Sequence, residues 1–228
     1  MDSSYLKYNV DMVFCIDATG SMGPVIRTVK QNALNFYKDV RNSMEMKQKS
    51  INTLRVRLII FRDYIADQED AMLVSRFFVL PDEQEEFSEA VKSITATGGG
   101  DIPEDGLEAL GYAIRSPWNP EGVIGRSVIV VWTDTSTHEL GFGASAPNYP
   151  RNMAANFEEL TEWWGDEQIP SPYIKNSSKR LILFAPEENW WTNITESWNN
   201  VIHYPSVAGA GLKEMTYREI IDAISNSI

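Results

Sequence analysis

The sequence predicts a doubly wound α/β fold, in which helices cover both faces of a mostly parallel central sheet with one antiparallel edge strand. Two observations carry this prediction. Short apolar stretches that are typical of strands alternate with helix-period segments along the whole chain. The stretch 127–132 is almost continuously apolar, which is typical of a strand buried on both faces of a parallel sheet. A Rossmann-like arrangement of this kind binds ligands at the carboxyl ends of its strands.

The first part of the chain alternates strands with helices. A buried strand at 10–16 is followed by Pro24, which suits the first turn of a helix. Apolar residues then recur at steps of three and four as far as Val40, which predicts one long helix. A further strand is predicted at 54–61, where arginines alternate with apolar residues.

The edge strand is assigned to 71–80. Arg76 interrupts this stretch and Pro81 ends it, and a proline is tolerated at the edge of a sheet far better than at its centre. Asp82 is expected to cap a helix that runs to about Ile94, with Glu85 completing a capping box.

The second part of the chain continues the alternation around one irregular stretch, 135–178, which is rich in glycine and proline. The elements predicted there are a helix around 107–114, the strand 127–132, a helix at 156–164, a strand at 180–185, a helix at about 187–200, a short strand at 201–204 and an amphipathic helix at 217–228. We therefore expect a single domain over 1–228, with 135–178 as a long irregular insertion.

Composition limits the classes of function. A chain of 228 residues with 43% apolar content is an ordinary globular sequence, and its apolar runs are far short of the ~20 residues that a membrane helix needs. No basic and apolar leader is visible, and the lone cysteine, Cys15, fits a reducing compartment, so a cytoplasmic location is expected. The formal charge of −12 argues against nucleic acid and anionic membranes as partners.

The segment that follows the first strand carries a candidate metal site. Asp17, Thr19 and Ser21 stand on alternate residues of one tight loop and present only oxygen atoms. Oxygen-only sites suit Mg²⁺, Mn²⁺ or Ca²⁺. Gly20 and Gly23 let the backbone turn closely. Taken alone, the same residues are equally typical of a plain helix cap.

Two further loops favour the metal. Asp101 follows three glycines just before a predicted helix, where it could also act only as a cap, and Thr97 is a competing oxygen donor. Asp134 lies at the end of the strand 127–132. Buried carboxylates at strand ends need a charge partner, and no basic residue is near in sequence. One cation would satisfy all three loops.

Three segments together carry a family resemblance. Val-Phe-Cys-Ile-Asp-Ala-Thr-Gly-Ser-Met (13–22), Thr-Gly-Gly-Gly-Asp-Ile-Pro-Glu (97–104) and Val-Val-Trp-Thr-Asp (130–134) resemble the three loops of a von Willebrand factor A domain with its metal-ion-dependent adhesion site. The order of elements is similar from about residue 10 to 228. The Gly-Gly-Gly-Asp-x-Pro-Glu form resembles bacterial and intracellular members of the family.

The resemblance implies which residues hold the ion and what the domain does. Asp17, Thr19, Ser21, Asp101 and Asp134 would ligate or position Mg²⁺, Mn²⁺ or Ca²⁺, some of them through water. A Glu or Asp side chain of a protein partner would complete the coordination. A metal-dependent protein-binding module in an intracellular complex is thus expected, rather than an enzyme.

Two alternatives remain open. Asp17 could be the nucleophile of a metal-dependent phosphoryl-transfer enzyme, since haloacid dehalogenase-like phosphatases also begin with a strand that ends in Asp. Those enzymes carry a second acid two residues later, where this chain has Thr19. The other alternative keeps the fold but discards the metal, so that the acids act as caps in a structural scaffold.

Overall fold

A computed structural model describes residues 5–99, 103–119, 124–213 and 215–228. Within these ranges seven strands form one sheet, with the order β3-β2-β1-β5-β6-β7 and with β4 also paired to β2. The strands are β1 (Leu6–Asp17), β2 (Lys49–Phe61), β3 (Met72–Val74), β4 (Phe78–Leu80), β5 (Ile124–Trp132), β6 (Lys179–Ala185) and β7 (Val201–Pro205).

The central strands are parallel and confirm the predicted fold class. β1 lies between β2 and β5, with Phe14 opposite Leu58 on one side and Val130 on the other. β5 then pairs with β6, and β6 with β7, again in parallel. The carboxyl ends of all five strands therefore meet at one edge of the sheet, where ligands bind in folds of this type.

The antiparallel edge differs from its prediction in one respect. The predicted strand 71–80 is two short strands, β3 and β4, which pair with opposite ends of the same stretch of β2. Ser75 separates them because its hydroxyl accepts the Leu58 N–H at 2.9 Å, and its own N–H donates to the Leu58 carbonyl at 2.9 Å. The side chain thus takes the place of a ladder bond and interrupts regular pairing.

Helices cover both faces of the sheet. They are α1 (Gly23–Asn32), α2 (Phe36–Met46), α3 (Gln84–Ser93), α4 (Gly106–Ile114), α5 (Phe157–Trp164), α6 (Trp191–Ser197) and α7 (Tyr217–Ser227). The first core, which includes Phe14 and Trp132, packs against α1, α2, α3 and α7. The second core, which includes Val13 and Trp164, packs against α4, α5 and α6. Successive residues of β1 face opposite cores, as its apolar sequence predicts.

The long helix predicted from Pro24 to Val40 is broken. A 3₁₀ turn, Ala33–Asn35, separates α1 from α2. The Ala33 carbonyl accepts a hydrogen bond from the Gln84 side chain at 2.8 Å, and the Asn32 side chain donates to the Thr28 carbonyl at 2.7 Å. Both side-chain hydrogen bonds compete with the regular backbone hydrogen bonds of a helix. The bond from Gln84 comes from a distant part of the chain, whereas the bond from Asn32 is local.

Two other helix boundaries were predicted wrongly. The Asp82 cap is absent, because α3 begins at Gln84. The residue before it, Glu83, accepts a hydrogen bond from the Val79 N–H on its carboxylate at 2.6 Å. The helix predicted at 187–200 is shorter, because Trp190 adopts a φ of 68° before the first turn of α6. No helix among the described residues is long and apolar enough to cross a membrane.

Candidate metal centre

The loop after β1 is organised by the Asp17 carboxylate, which is fully buried. Its Oδ1 accepts hydrogen bonds from the Thr19 N–H at 2.9 Å and from the Thr19 hydroxyl at 2.6 Å. The Ser21 hydroxyl lies 3.5 Å from that of Thr19. Alternate residues of this loop therefore place their oxygen atoms on the same side, as the Asp-x-Thr-x-Ser spacing predicts.

The loop after β5 lies directly beside it. Thr133 donates its hydroxyl hydrogen to Asp17 Oδ2 at 2.7 Å, and the Ser21 hydroxyl donates to Asp134 Oδ1 at 2.8 Å. Asp134 is fully buried. Because β1 and β5 are adjacent parallel strands, their carboxyl ends bring two carboxylates and three hydroxyls into one continuous hydrogen-bonded group.

The second loop, which follows α3, contacts the first loop through its backbone. The Thr97 N–H donates to the Ala18 carbonyl at 2.9 Å, which ties this loop to the first one. The Thr97 side chain is exposed and is not among the residues that line the cleft at the carboxyl edge of the sheet. Asp101, one of the three predicted acids, lies outside the described residues.

Glu104 supplies a carboxylate that the sequence reasoning did not assign. Its side chain is 3% exposed, and its Oε2 atom has no hydrogen-bond partner among the described residues. Its carbonyl accepts the His138 N–H at 2.8 Å, which fixes the backbone beside the loop after β5. The motif Gly-Gly-Gly-Asp-Ile-Pro-Glu contained this residue, and its final acid was the signal that could have identified it.

A fourth loop, which follows β7, completes the group and was also missed. The Gly211 N–H donates to Asp134 Oδ2 at 2.7 Å, and the Gly209 N–H donates to the Asp134 carbonyl at 2.8 Å. A Cβ on Gly211 would lie 2.3 Å from the Ser21 carbonyl oxygen. Glycine is needed here for this close approach and for a φ of 65°. The Gly-Ala-Gly sequence after the last strand was the available signal.

The electrostatics of the centre favour a cation. Burial raises the pKa of Asp17 to about 6, against the hydrogen bonds from Thr19 and Thr133, and the charge of Asp134 adds to the rise. Burial, followed by the charges of Asp17 and other nearby carboxylates, raises the pKa of Glu104 to about 9. Among the described residues, no lysine or arginine forms an ion pair with these three acids.

These residues surround an open cleft of about 920 Å³ at the carboxyl edge of the sheet. The lining residues come from all four loops and from the segment before α6. They are Thr19, Gly20, Ser21, Gly98, Gly99, Glu104, Asp134, Thr135, Ser136, Glu188, Ala208 and Gly209. His138 is not among them, because its ring is hydrogen bonded to Asp63 at 2.9 Å.

The donor set fits a hard divalent cation. Every side-chain donor is an oxygen atom, from Asp17, Thr19, Ser21, Asp134 and the unpartnered Glu104. The described residues contain no group of three His, Cys, Asp or Glu side chains placed to hold an ion, so hydroxyl oxygens would have to contribute. The structure thus brings together four of the five predicted residues, and their role as metal ligands stays a prediction.

A model of the von Willebrand factor A domain family matches residues 11–141, which are 131 of the 228 residues of the chain. Two curated proteins are similar to parts of the chain. The alpha-protein kinase vwkA of Dictyostelium discoideum is 25% identical over 143 residues, which cover 62% of this chain and 21% of that protein. A putative ariadne-like RING finger protein of Acanthamoeba polyphaga mimivirus is 23% identical over 163 residues, which cover 70% of this chain and 13% of that protein. The chain therefore spans less than a quarter of the length of either relative.

Solved structures share the fold. A von Willebrand factor type A protein from Catenulispora acidiphila aligns with a TM-score of 0.50 and 14% identity, over 95% of this chain and 42% of that one. The pilus adhesin SpaC from Lactobacillus rhamnosus GG aligns with a TM-score of 0.50 and 11% identity, over 95% of this chain and 30% of that one. At such low identity these likenesses show the fold alone.

Proposed function

The chain belongs to the von Willebrand factor A domain family, and we propose on that basis that it is a non-catalytic protein-binding module that depends on a divalent cation. Asp17, Thr19, Ser21 and Asp134 would hold the ion, with Glu104 beside them. The observation that carries the proposal is this group of oxygen donors, whose buried carboxylates form no ion pair with a lysine or arginine among the described residues.

Mg²⁺ or Mn²⁺ suits the site because its donors are oxygen atoms. When bound, the ion would supply positive charge and a coordination position for an acidic side chain of the partner. Neighbouring residues of the chain orient the two carboxylates that would bind the ion. The Thr133 hydroxyl donates a hydrogen bond to Asp17, and the Gly211 N–H donates one to Asp134. Such second contacts fix the carboxylates before the ion arrives.

A calorimetric titration tests the metal directly. Mg²⁺ and Mn²⁺ are titrated into chelator-treated protein, and we expect saturable binding that Asp17→Asn abolishes. Asp222→Asn, on α7 and outside the cleft, is the matched control and should bind as the wild type does. Absence of binding to the wild type at millimolar metal would contradict the proposal and favour the metal-free scaffold.

Partner capture tests the second half of the proposal. Cell extract is passed over the immobilised chain in Mg²⁺ and in EDTA, with Asp17→Asn in parallel. We expect specific partners to be retained only by the wild type in Mg²⁺. Retention that neither EDTA nor the substitution changes would exclude a metal-dependent interaction.

We propose a non-catalytic role because Asp17 is poorly placed as a nucleophile. The side chain is fully buried, and both of its oxygen atoms accept hydrogen bonds, from Thr19 and from Thr133. Hydrolysis of p-nitrophenyl phosphate in Mg²⁺ provides the test. Turnover that disappears in Asp17→Asn would support the phosphoryl-transfer alternative instead.

We further propose that the domain works in an intracellular complex. Cys15 is buried in β1 and no described residue could pair with it, which suits a reducing compartment. The kinase and RING finger relatives are much longer than this chain, which favours a role as one module of a larger assembly.

A further inference from the structure

We propose that the partner carries a lysine or arginine beside the carboxylate that it gives to the metal, and that Glu188 pairs with this basic residue. The inference rests on the proposed metal-dependent function, and it specifies in addition that the partner carries positive charge next to its carboxylate. It follows from the side chains that line the cleft, which form no ion pair with a lysine or arginine in the part of the chain that the structure describes.

Among the described residues, the charged side chains that line the cleft are all acidic, namely Glu104, Asp134 and Glu188. Glu104 lines the cleft, is only 3% exposed, and has an Oε2 atom without a hydrogen-bond partner among the described residues. A buried carboxylate without a partner is costly, so this side of the cleft is built to receive positive charge. The ion would balance part of the negative charge of these carboxylates. Glu188 also lines the cleft but is exposed to solvent.

Glu188 is anchored through its backbone and free at its carboxylate. Its carbonyl accepts hydrogen bonds from the Thr192 N–H and hydroxyl, both at 3.0 Å, at the beginning of α6. Its N–H donates to the Pro186 carbonyl at 2.8 Å. The residue is exposed and forms no ion pair with the described lysines and arginines. Because the backbone is already fixed, a new ion pair at this carboxylate would cost less conformational entropy.

The charge balance disfavours a partner that brings a carboxylate alone. Asp17, Asp134 and Glu188 carry three negative charges and the ion two positive ones, which leaves −1 before Glu104 is counted. The partner's carboxylate would raise this excess, and like charges at short range repel one another. A basic residue beside that carboxylate cancels the charge that the carboxylate adds, so the total stays at −1 when the partner binds.

Exposed acids on the surrounding loops extend the same field. Glu69 and Asp70 follow β2, Glu139 follows β5, and Glu187 follows β6, and none of them forms an ion pair among the described residues. Lys213, after β7, offsets one of these charges. A face of this kind accelerates the approach of a basic partner and suppresses acidic ones.

Three labelled peptides test the proposal by fluorescence anisotropy in Mg²⁺. One contains Lys-Glu-Arg between glycine and serine residues, the second contains Gln-Glu-Gln, and the third contains Lys-Gln-Arg. We expect the first to bind about tenfold more tightly than the second at low salt, with the ratio falling as NaCl is added. The third should not bind, because it lacks the carboxylate.

Glu188→Gln should reduce the ratio between the first two peptides to about one. Glu86→Gln, on α3 and outside the cleft, removes the same charge from the chain and should keep the ratio. Equal binding of the two peptides to the wild type, binding of neither to the metal-loaded chain, or an unchanged ratio in Glu188→Gln would overturn the inference. The Mg²⁺ titration separates the two failures: a chain that binds Mg²⁺ without preferring the basic peptide refutes only this inference.

Discussion

Thr133→Val should weaken metal binding although Thr133 is not itself a predicted ligand. Its hydroxyl donates to Asp17 Oδ2 at 2.7 Å and accepts the Thr135 N–H at 3.2 Å, in a fully buried position. Valine has nearly the same shape, so the substitution removes these hydrogen bonds and little packing. Contacts that orient a metal ligand typically change affinity by about 10–100-fold, or about 1.4–2.7 kcal/mol.

The strength of the lost hydrogen bond corresponds to a similar loss of affinity. A hydrogen bond to a charged group contributes about 1.5–3 kcal/mol, and the bond to Asp17 belongs to this class. Calorimetry with Mn²⁺ measures the affinity, and circular dichroism checks that the variant is folded. Thr28→Val is the matched control, because that hydroxyl donates to the Pro24 carbonyl within α1 at 3.3 Å. A folded Thr133→Val that binds Mn²⁺ as tightly as the wild type would refute the role of Thr133 in orienting Asp17.

Three other perturbations have defined outcomes. Gly211→Ala should destabilise the fold by more than Gly209→Ala, because both have positive φ but only the first places a Cβ against the Ser21 carbonyl; equal losses in urea unfolding would contradict this. Lys179→Met should cost about 2–4 kcal/mol in the same assay, since the buried ammonium donates to two carbonyls at the end of α5. In EDTA, the melting temperature should rise as the pH falls from 9 to 6, a trend that Glu104→Gln weakens.

The direction of the pH effect follows from the raised pKa of Glu104. In the metal-free fold this carboxyl titrates at about 9, because of burial and neighbouring carboxylates, and its ordinary value is near 4.5. Between these values the folded state binds the proton more tightly than the unfolded state does, so folding is favoured as the pH falls. A melting temperature that decreases as the pH is lowered from 9 to 6 in EDTA would contradict the raised pKa of Glu104.

The fold was largely predictable because local pattern and tertiary structure agree. Each apolar stretch in the parallel part of the sheet ends within one residue of the end of its strand, and two of the three acids that were singled out, Asp17 and Asp134, lie at such an end. The errors arose where distant residues determine the backbone. The hydrogen bond from Gln84 to the Ala33 carbonyl breaks the long helix, and the pairing of Ser75 with Leu58 divides the edge strand. A local pattern contains no information about either contact.

The site was predictable to the same extent. Asp17, Ser21 and Asp134 come together because adjacent parallel strands end side by side, which the alternation of elements already implies. Glu104 is the last residue of the motif at 97–104, so its position was predictable and only its role at the site was not assigned. Gly211 was harder to identify, since it contributes a backbone N–H rather than a side chain, and it lies 77 residues from Asp134 in sequence.

The most direct test of the account is a crystal structure of the chain grown in Mn²⁺, with data collected at the manganese absorption edge. We predict an anomalous peak between Asp17, Ser21 and Asp134, from a manganese ion coordinated by oxygen atoms, and no peak in an Asp17→Asn crystal. A well-ordered wild-type site without anomalous density at millimolar Mn²⁺ would contradict it.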